Sequence, residues 1–140
     1  MNKEDLKYLG VMPRKIDPKG RISIAHLKPI KPNVGDKFVL LQSKEGDCID
    51  MLDEKTYNQI LVDLEEKKEE DGFSISDKIV LTYSANVLGY TEVDCQHRIF
   101  IPKFALDKMG FKDSVVILGK FNKISIYTKE NYESYKKSNK

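Results

Sequence analysis

Apolar and polar residues alternate in two short stretches, "RISIA" (21–25) and "RIFIP" (98–102), which places Ile22 with Ile24 and Ile99 with Ile101 on one face of a strand. Each stretch is preceded by Asp-x-x-x-Arg, Asp17 to Arg21 and Asp94 to Arg98, which reads as a tight turn. Further on, paired apolar runs predict two hairpins: "KFVLLQ" turning through "SKEGD" to "CIDML", and "SVVILGK" turning through "FN" to "KISIY". The link before the second hairpin, "PKFALDKMGF", predicts a short helix with Pro102 at its first position and Gly110 at its stop. The corresponding "HLKPIKPNVG" predicts an irregular link, because Pro29 and Pro32 interrupt a helix. A helix follows each hairpin. Asp53 caps the first, with Tyr57, Ile60, Leu61 and Leu64 along one face, and Thr128 caps the second, with Tyr132 and Tyr135 as its apolar side. Between them "SISDKIVLTYSANV" predicts another helix, capped by Ser76.

These elements repeat. "IDPKGRISIA" from Ile16 aligns with "VDCQHRIFIP" from Val93, an offset of 77 residues, and "KFVLL" falls on "SVVIL" at the same offset. "CIDMLDEKTY" falls on "KISIYTKENY" at an offset of 75, so the two-residue change lies in a hairpin loop. One such unit is too small to bury its strand faces, whereas two can interleave into a closed β core. The expected fold is therefore α+β: a β-barrel formed by two internal repeats and flanked by short helices, with its Asp-x-x-x-Arg turns related by a pseudo-two-fold axis. The divisions expected are an N-terminal extension (1–9), a first repeat with its closing helix (10–72), a connecting helix (73–86), a second repeat (87–135) and a basic tail (136–140).

Composition narrows the function. The chain has 140 residues, which suits one compact domain, and no apolar run approaches the roughly 20 residues of a membrane span. "MNKEDLKYLG" lacks the apolar segment of a signal peptide, so a cytoplasmic protein without a membrane partner is expected. Cys48 and Cys95 stand far apart without CxxC or histidine-rich company, which predicts reduced thiols and no metal site. No Gly-rich phosphate loop, metal-ligand cluster or nucleophile–base pair is recognisable, so no enzyme, no cofactor and no small-molecule substrate are expected. Lys and Arg number 24 against 22 acids, a net charge of +2 that by itself implies little. Its distribution implies more. Arg14, Lys15, Lys19, Arg21, Lys28, Lys31 and Lys37 are opposed over their segment only by Asp17 and Asp36, whereas "DLEEKKEED" (63–71) is strongly acidic. The acidic run reads as a solvated helix face or as a partner for a neighbouring subunit's basic face.

The motifs resemble a known family. "YLGVMPRKIDPKGRISI" resembles the opening of MraZ proteins, and "VDCQHRIFIP" followed by "LGKFNKISIYT" resembles their second half, with Gly119 to Lys123 a specific match. The resemblance runs from about Tyr8 to Tyr135 and departs from the family pattern at Ala25, where a proline is usual, and at "QHR" in the second turn. It implies an AbrB-like swapped-hairpin barrel and a DNA-binding transcriptional regulator of the bacterial division and cell-wall gene cluster. It also implies ring-shaped homo-oligomers, nucleoid-associated, that bind short direct repeats in double-stranded promoter DNA.

The candidate DNA-binding residues are Arg14, Lys15, Lys19, Gly20, Arg21, Lys28, His97 and Arg98, with no catalytic and no metal-binding residue. Arg21 admits two readings: a structural partner of Asp17 at a strand end, or a base-reading arginine set among lysines that hold phosphate. Arg98 and His97 are its second-copy counterparts, serving either DNA contact or assembly, and Asp17 and Asp94 are expected to cap their turns. A protein-interaction module, antitoxin-like or scaffolding, is the alternative function.

Overall fold

The computed structural model describes residues 8–25, 28–29, 32–71 and 86–139. Among these, nine strands run in chain order: β1 (Tyr8–Lys15), β2 (Arg21–Ser23), β3 (Lys28–Pro29), β4 (Lys37–Gln42), β5 (Cys48–Asp53), β6 (Val87–Glu92), β7 (Arg98–Phe100), β8 (Ser114–Phe121) and β9 (Lys123–Tyr127). Helix α1 (Glu54–Asp71) follows β5, α2 (Lys103–Met109) follows β7 and α3 (Lys129–Ser138) follows β9. The fold is α+β with antiparallel strand pairing. The expected connecting helix and its cap Ser76 lie outside the described residues, as do Lys31 and the side chains of Lys28 and Leu64.

Seven strands form one sheet in the order β3-β1-β8-β9-β5-β4-β6, and β2 and β7 form a separate ribbon. The first strand of each sequence repeat pairs with the hairpin of the other. On one side Met12 lies opposite Ile117 and Lys15 opposite Ser114, and on the other Gly89 lies opposite Leu40 and Glu92 opposite Lys37. At the centre of the sheet Asp50 faces Ser125, and at the centre of the ribbon Ile22 faces Ile99. In both central pairs each residue faces its own counterpart in the repeat, so a local two-fold passes through them.

A closed ring of strands was expected, and the described ladders do not form one. The sheet ends at β3 and β6, and among the described residues no ladder joins these ends or ties the ribbon to the sheet. Where the strands leading into the ribbon meet it, side chains take several amides: the Asp17 and Asp94 carboxylates accept from the amides of Arg21 and Arg98 at 2.9 Å, and the Thr91 hydroxyl accepts from that of Phe100 at 2.9 Å.

The ribbon is nevertheless fixed to the core. Ile22, Ile24, Ile99 and Ile101 are all buried, as their alternation predicts, with Phe38, Leu40, Ile49, Met51, Ile117, Ile124 and Ile126 from the sheet and Ala105 and Met109 from α2. β4 is apolar on both faces because it is covered twice. Phe38 and Leu40 enter this core, while Val39 and Leu41 join Leu52 in a second cluster under Tyr57 and Ile60 of α1. The helix signals read as expected: Asp53 Oδ1 accepts from the Thr56 amide at 2.7 Å, Thr128 Oγ1 accepts from the Asn131 amide at 3.1 Å, and Tyr127 stacks near Tyr132 and Tyr135. Pro102 is displaced by one position. Its ψ of 147° keeps it outside α2 as the N-cap, while Gly110 ends the helix with φ 70°.

One close approach shapes the sheet. Gly119 lies opposite Gly10, and a Cβ at Gly119 would come within 2.6 Å of the Leu9 nitrogen and 2.7 Å of Leu9 Cα. A glycine in a strand interior marks the place where another backbone comes this near.

Candidate nucleic-acid interface

The two Asp-x-x-x-Arg turns are built alike. In the first, the Asp17 carbonyl accepts from the Gly20 amide at 2.9 Å, while Oδ1 takes the amides of Lys19 and Arg21 and Oδ2 takes Arg21 Nε at 2.6 Å. In the second, the Asp94 carbonyl accepts from the His97 amide at 3.0 Å, Oδ1 takes the amides of Gln96 and Arg98, and Oδ2 takes Arg98 Nε at 2.9 Å. Asp17 and Asp94 thus cap their turns, as expected. The sharp reversal needs a positive φ, 86° at Gly20 and 57° at His97. Gly20 has a further constraint, since a Cβ there would meet the Ile101 carbonyl oxygen at 2.7 Å. Each turn also holds the strand beyond the other. The Gly20 carbonyl accepts from the Ile101 amide and the His97 carbonyl from the Ile24 amide, both at 2.9 Å.

This resolves the structural half of the question about Arg21. Its Nε is a partner of Asp17, with the pair about one-third exposed, and among the described residues its Nη groups make no other hydrogen bond. Arg98 repeats the arrangement. A guanidinium held along one edge is oriented before any ligand arrives, which reduces the rotamer entropy lost when its free edge is engaged.

The ribbon brings the two arginines together. Arg21 lies opposite Phe100 and Arg98 opposite Ser23, so all four residues share the face turned away from the buried Ile22–Ile99 pair. Lys19 is exposed beside this face in the first turn. Lys15 is exposed at the end of β1, one strand away. Arg14 turns back on its own strand: its Nη1 donates to the Pro13 carbonyl and its Nη2 lies 3.3 Å from Met12 Sδ. The backbone of Lys28 sits in β3 opposite Leu9, at the far end of β1 from the turns.

Phe100 is the residue that sequence reading missed. In "RIFIP" it is an outward position like any other, and only the ladder shows it 48% exposed beside Arg21. A signal was present in the repeat, because the counterpart of Phe100 is Ser23, and a phenylalanine facing solvent where its copy has a serine calls for a reason.

The charges in the turns favour ionised aspartates. The Arg21 amide, partly opposed by desolvation and helped by the Arg21 guanidinium, lowers Asp17 below the ordinary 3.8. At Asp94 desolvation pulls upward, but the amides of Arg98 and Gln96 and the Arg98 guanidinium outweigh it, and the net shift is again downward. A carboxylate with a depressed folded pKa stabilises above its unfolded value and loses that contribution as pH falls through the folded one. Carboxyl carbon titration by NMR should therefore give midpoints for both aspartates below 3.8, and Arg21→Ala should move Asp17 upward while leaving Asp94 in place. Equal midpoints in the two proteins would contradict the pairing.

Other chemistry is sparse on this face. Among the described residues there is no cluster of three or more His, Cys, Asp or Glu able to hold a metal ion, and no helix is long and apolar enough to cross a membrane. Cys48 is buried and its thiol is pushed up to about 12, first by desolvation and then by Asp50, whereas Cys95 is exposed in the second turn.

The geometry can be set beside known proteins. Residues 90–140 match the family model MraZ, described as "MraZ protein, putative antitoxin-like". The match covers the second turn, the ribbon strand β7 and the hairpin β8–β9. A transcriptional regulator MraZ from Bacteroides fragilis is 25% identical over 130 residues, spanning 91% of this chain and 81% of that protein. Over nearly its whole length the chain is similar to proteins named MraZ. Other relatives bearing the same name come from Heliobacterium modesticaldum, 26% identical over 129 residues (91% of this chain, 85% of that protein), and Ureaplasma parvum, 26% identical over 132 residues (91% and 86%). The relatives align across nearly the whole chain, so the similarity takes in both turns.

Proposed function

We propose that this protein is a member of the MraZ family acting as a sequence-specific DNA-binding transcriptional regulator, and that the outer face of the β2–β7 ribbon is its reading surface. The observation that carries the proposal is the pairing of the two repeats' turns on one ribbon, each with an oriented arginine whose Nη edge makes no hydrogen bond among the described residues. A two-stranded ribbon fits the major groove, and arginine bound edge-on to guanine is the commonest specific contact there. Because Asp17 and Asp94 offset the charge of these arginines, attraction to phosphate falls mainly to Lys19 and Lys15.

In this reading the interleaved pairings make the chain a pseudo-dimer of the AbrB-like swapped-hairpin kind. Both repeats supply DNA contacts, with Gly20 and His97 setting the turns, and Arg14 and Lys28 are peripheral. The protein acts in the cytoplasm at the nucleoid, on direct repeats in the promoter of the division and cell-wall gene cluster. It binds as a ring-shaped homo-oligomer, since one protomer with few contacts binds weakly, and linked copies on matching repeats gain on the order of 10² to 10⁴ in avidity.

The test is a binding titration of the protein with duplex DNA from upstream of its own gene, at rising salt, against an unrelated duplex. Affinity for the upstream duplex should be the higher and should fall linearly with log salt concentration, by roughly 10-fold or more between 50 and 200 mM. Equal affinity for the two duplexes, or a flat salt response, would overturn the proposal. A stable co-purifying protein in place of DNA binding would favour the interaction-module alternative.

A further inference from the structure

Within its two strands the local two-fold of the ribbon is broken at a single pair of outward positions, whereas in the turns Lys19 and Gly20 correspond to Gln96 and His97. Arg21 and Arg98 are counterparts, and so are Ser23 and Phe100, yet the last two differ by a whole aromatic ring. The ring is seated: Phe100 Cε2 would be 3.6 Å from a Cβ at Gly20, so the glycine of the first turn leaves it room to lie against that turn. Its backbone is anchored as well, through the amide donated to Thr91 Oγ1 at 2.9 Å. Nearly half of the side chain remains in solvent, on the face that carries both arginines.

A face with two equivalent arginines would read a duplex equally well in either direction, since a two-fold protein surface matches a palindromic site. From the reading of the ribbon as a DNA-binding face, we infer that Phe100 gives the interface its direction, by making an apolar contact with the methyl group of a thymine on one side of the site. A ring seated against a turn suits contact with a methyl group in the major groove better than insertion as a wedge between base pairs. On the other side, Ser23 offers only a hydroxyl, which bonds to either kind of base. The site is thus read as two unequal halves, one with a required thymine and one without.

Selection of bound duplexes from a random pool tests this without knowledge of the operator. The wild-type protein should enrich a motif with a thymine favoured about fourfold at one flank, the effect of burying one methyl group. Phe100→Ser should recover the same central motif without that preference, and Phe100→Leu should keep it. Replacing the selected thymine by uracil should weaken wild-type binding about fourfold and leave Phe100→Ser unaffected. A wild-type motif whose flanking thymine survives in Phe100→Ser, or a motif with no such thymine, would overturn the inference while leaving the DNA-binding reading intact. Failure of the wild-type protein to enrich any motif would overturn that reading, and the inference with it.

Discussion

Replacing Arg21 and Arg98 together with alanine should abolish binding to the upstream duplex, while each single replacement should weaken it by about 10- to 100-fold, the loss of one specific base contact. Folding should survive. The Asp17 carboxylate still accepts from the amides of Lys19 and Arg21, and Asp94 from those of Gln96 and Arg98, so the turns keep their backbone bonds. Each ion pair is about one-third exposed, and a pair so open to solvent contributes little to stability. Arg21→Lys separates two roles that alanine removes together. It keeps the charge but loses the planar fork, so affinity should drop with the sequence preference, whereas the salt dependence should persist. Binding measured by fluorescence anisotropy, with melting and oligomeric state measured on the same samples, checks this. Wild-type affinity in the double variant would show that the ribbon arginines are structural only.

The largest effect on stability is expected at Gly119. The nearest atoms to an added Cβ are Leu9 nitrogen, Leu9 Cα and the Tyr8 carbonyl carbon, all main-chain atoms of β1 that cannot move without opening the β1–β8 ladder. Gly119→Ala should cost about 3–5 kcal/mol, toward the upper end for single substitutions. For a domain of this size that lowers the melting temperature by roughly 10–20 °C. Ser114→Ala, at an exposed position on the same strand, is the control and should change little. A Gly119→Ala protein within 1 kcal/mol of wild type, ~4 °C or less, would contradict the close approach of the two backbones.

Local signals in this chain were legible because local chemistry decides them. The period-two isoleucines fixed the inward face of the ribbon, the Asp-x-x-x-Arg spacing fixed the turn, and Asp53, Thr128 and Gly110 fixed helix ends. Pro102 was misplaced by one residue, since a proline's φ suits both the cap and the first helical position and only ψ separates them. Non-local pairing was legible only through the repeat. The repeat implied both interleaving and closure, and among the described residues the strands pair as an interleaved open sheet with a separate ribbon. At the candidate site, the sequence placed Arg21 among the basic residues nearest to it in the chain. The structure instead places it across from Phe100 and diagonal to Arg98, with Arg14 folded back on its own strand. Neither the exposed place of Phe100 beside Arg21 nor the local contacts of Arg14 follow from charge counting, because both depend on how the strands are laid out.

Hydrogen exchange of the protein with and without its upstream duplex tests the central claim most directly, because it locates the contact whatever the size of the assembly. The account predicts that protection on DNA binding is concentrated at residues 17–24 and 94–101, in both turns and both ribbon strands at once. Protection confined to one turn, or found on α1 or α3 with the ribbon unchanged, would contradict it.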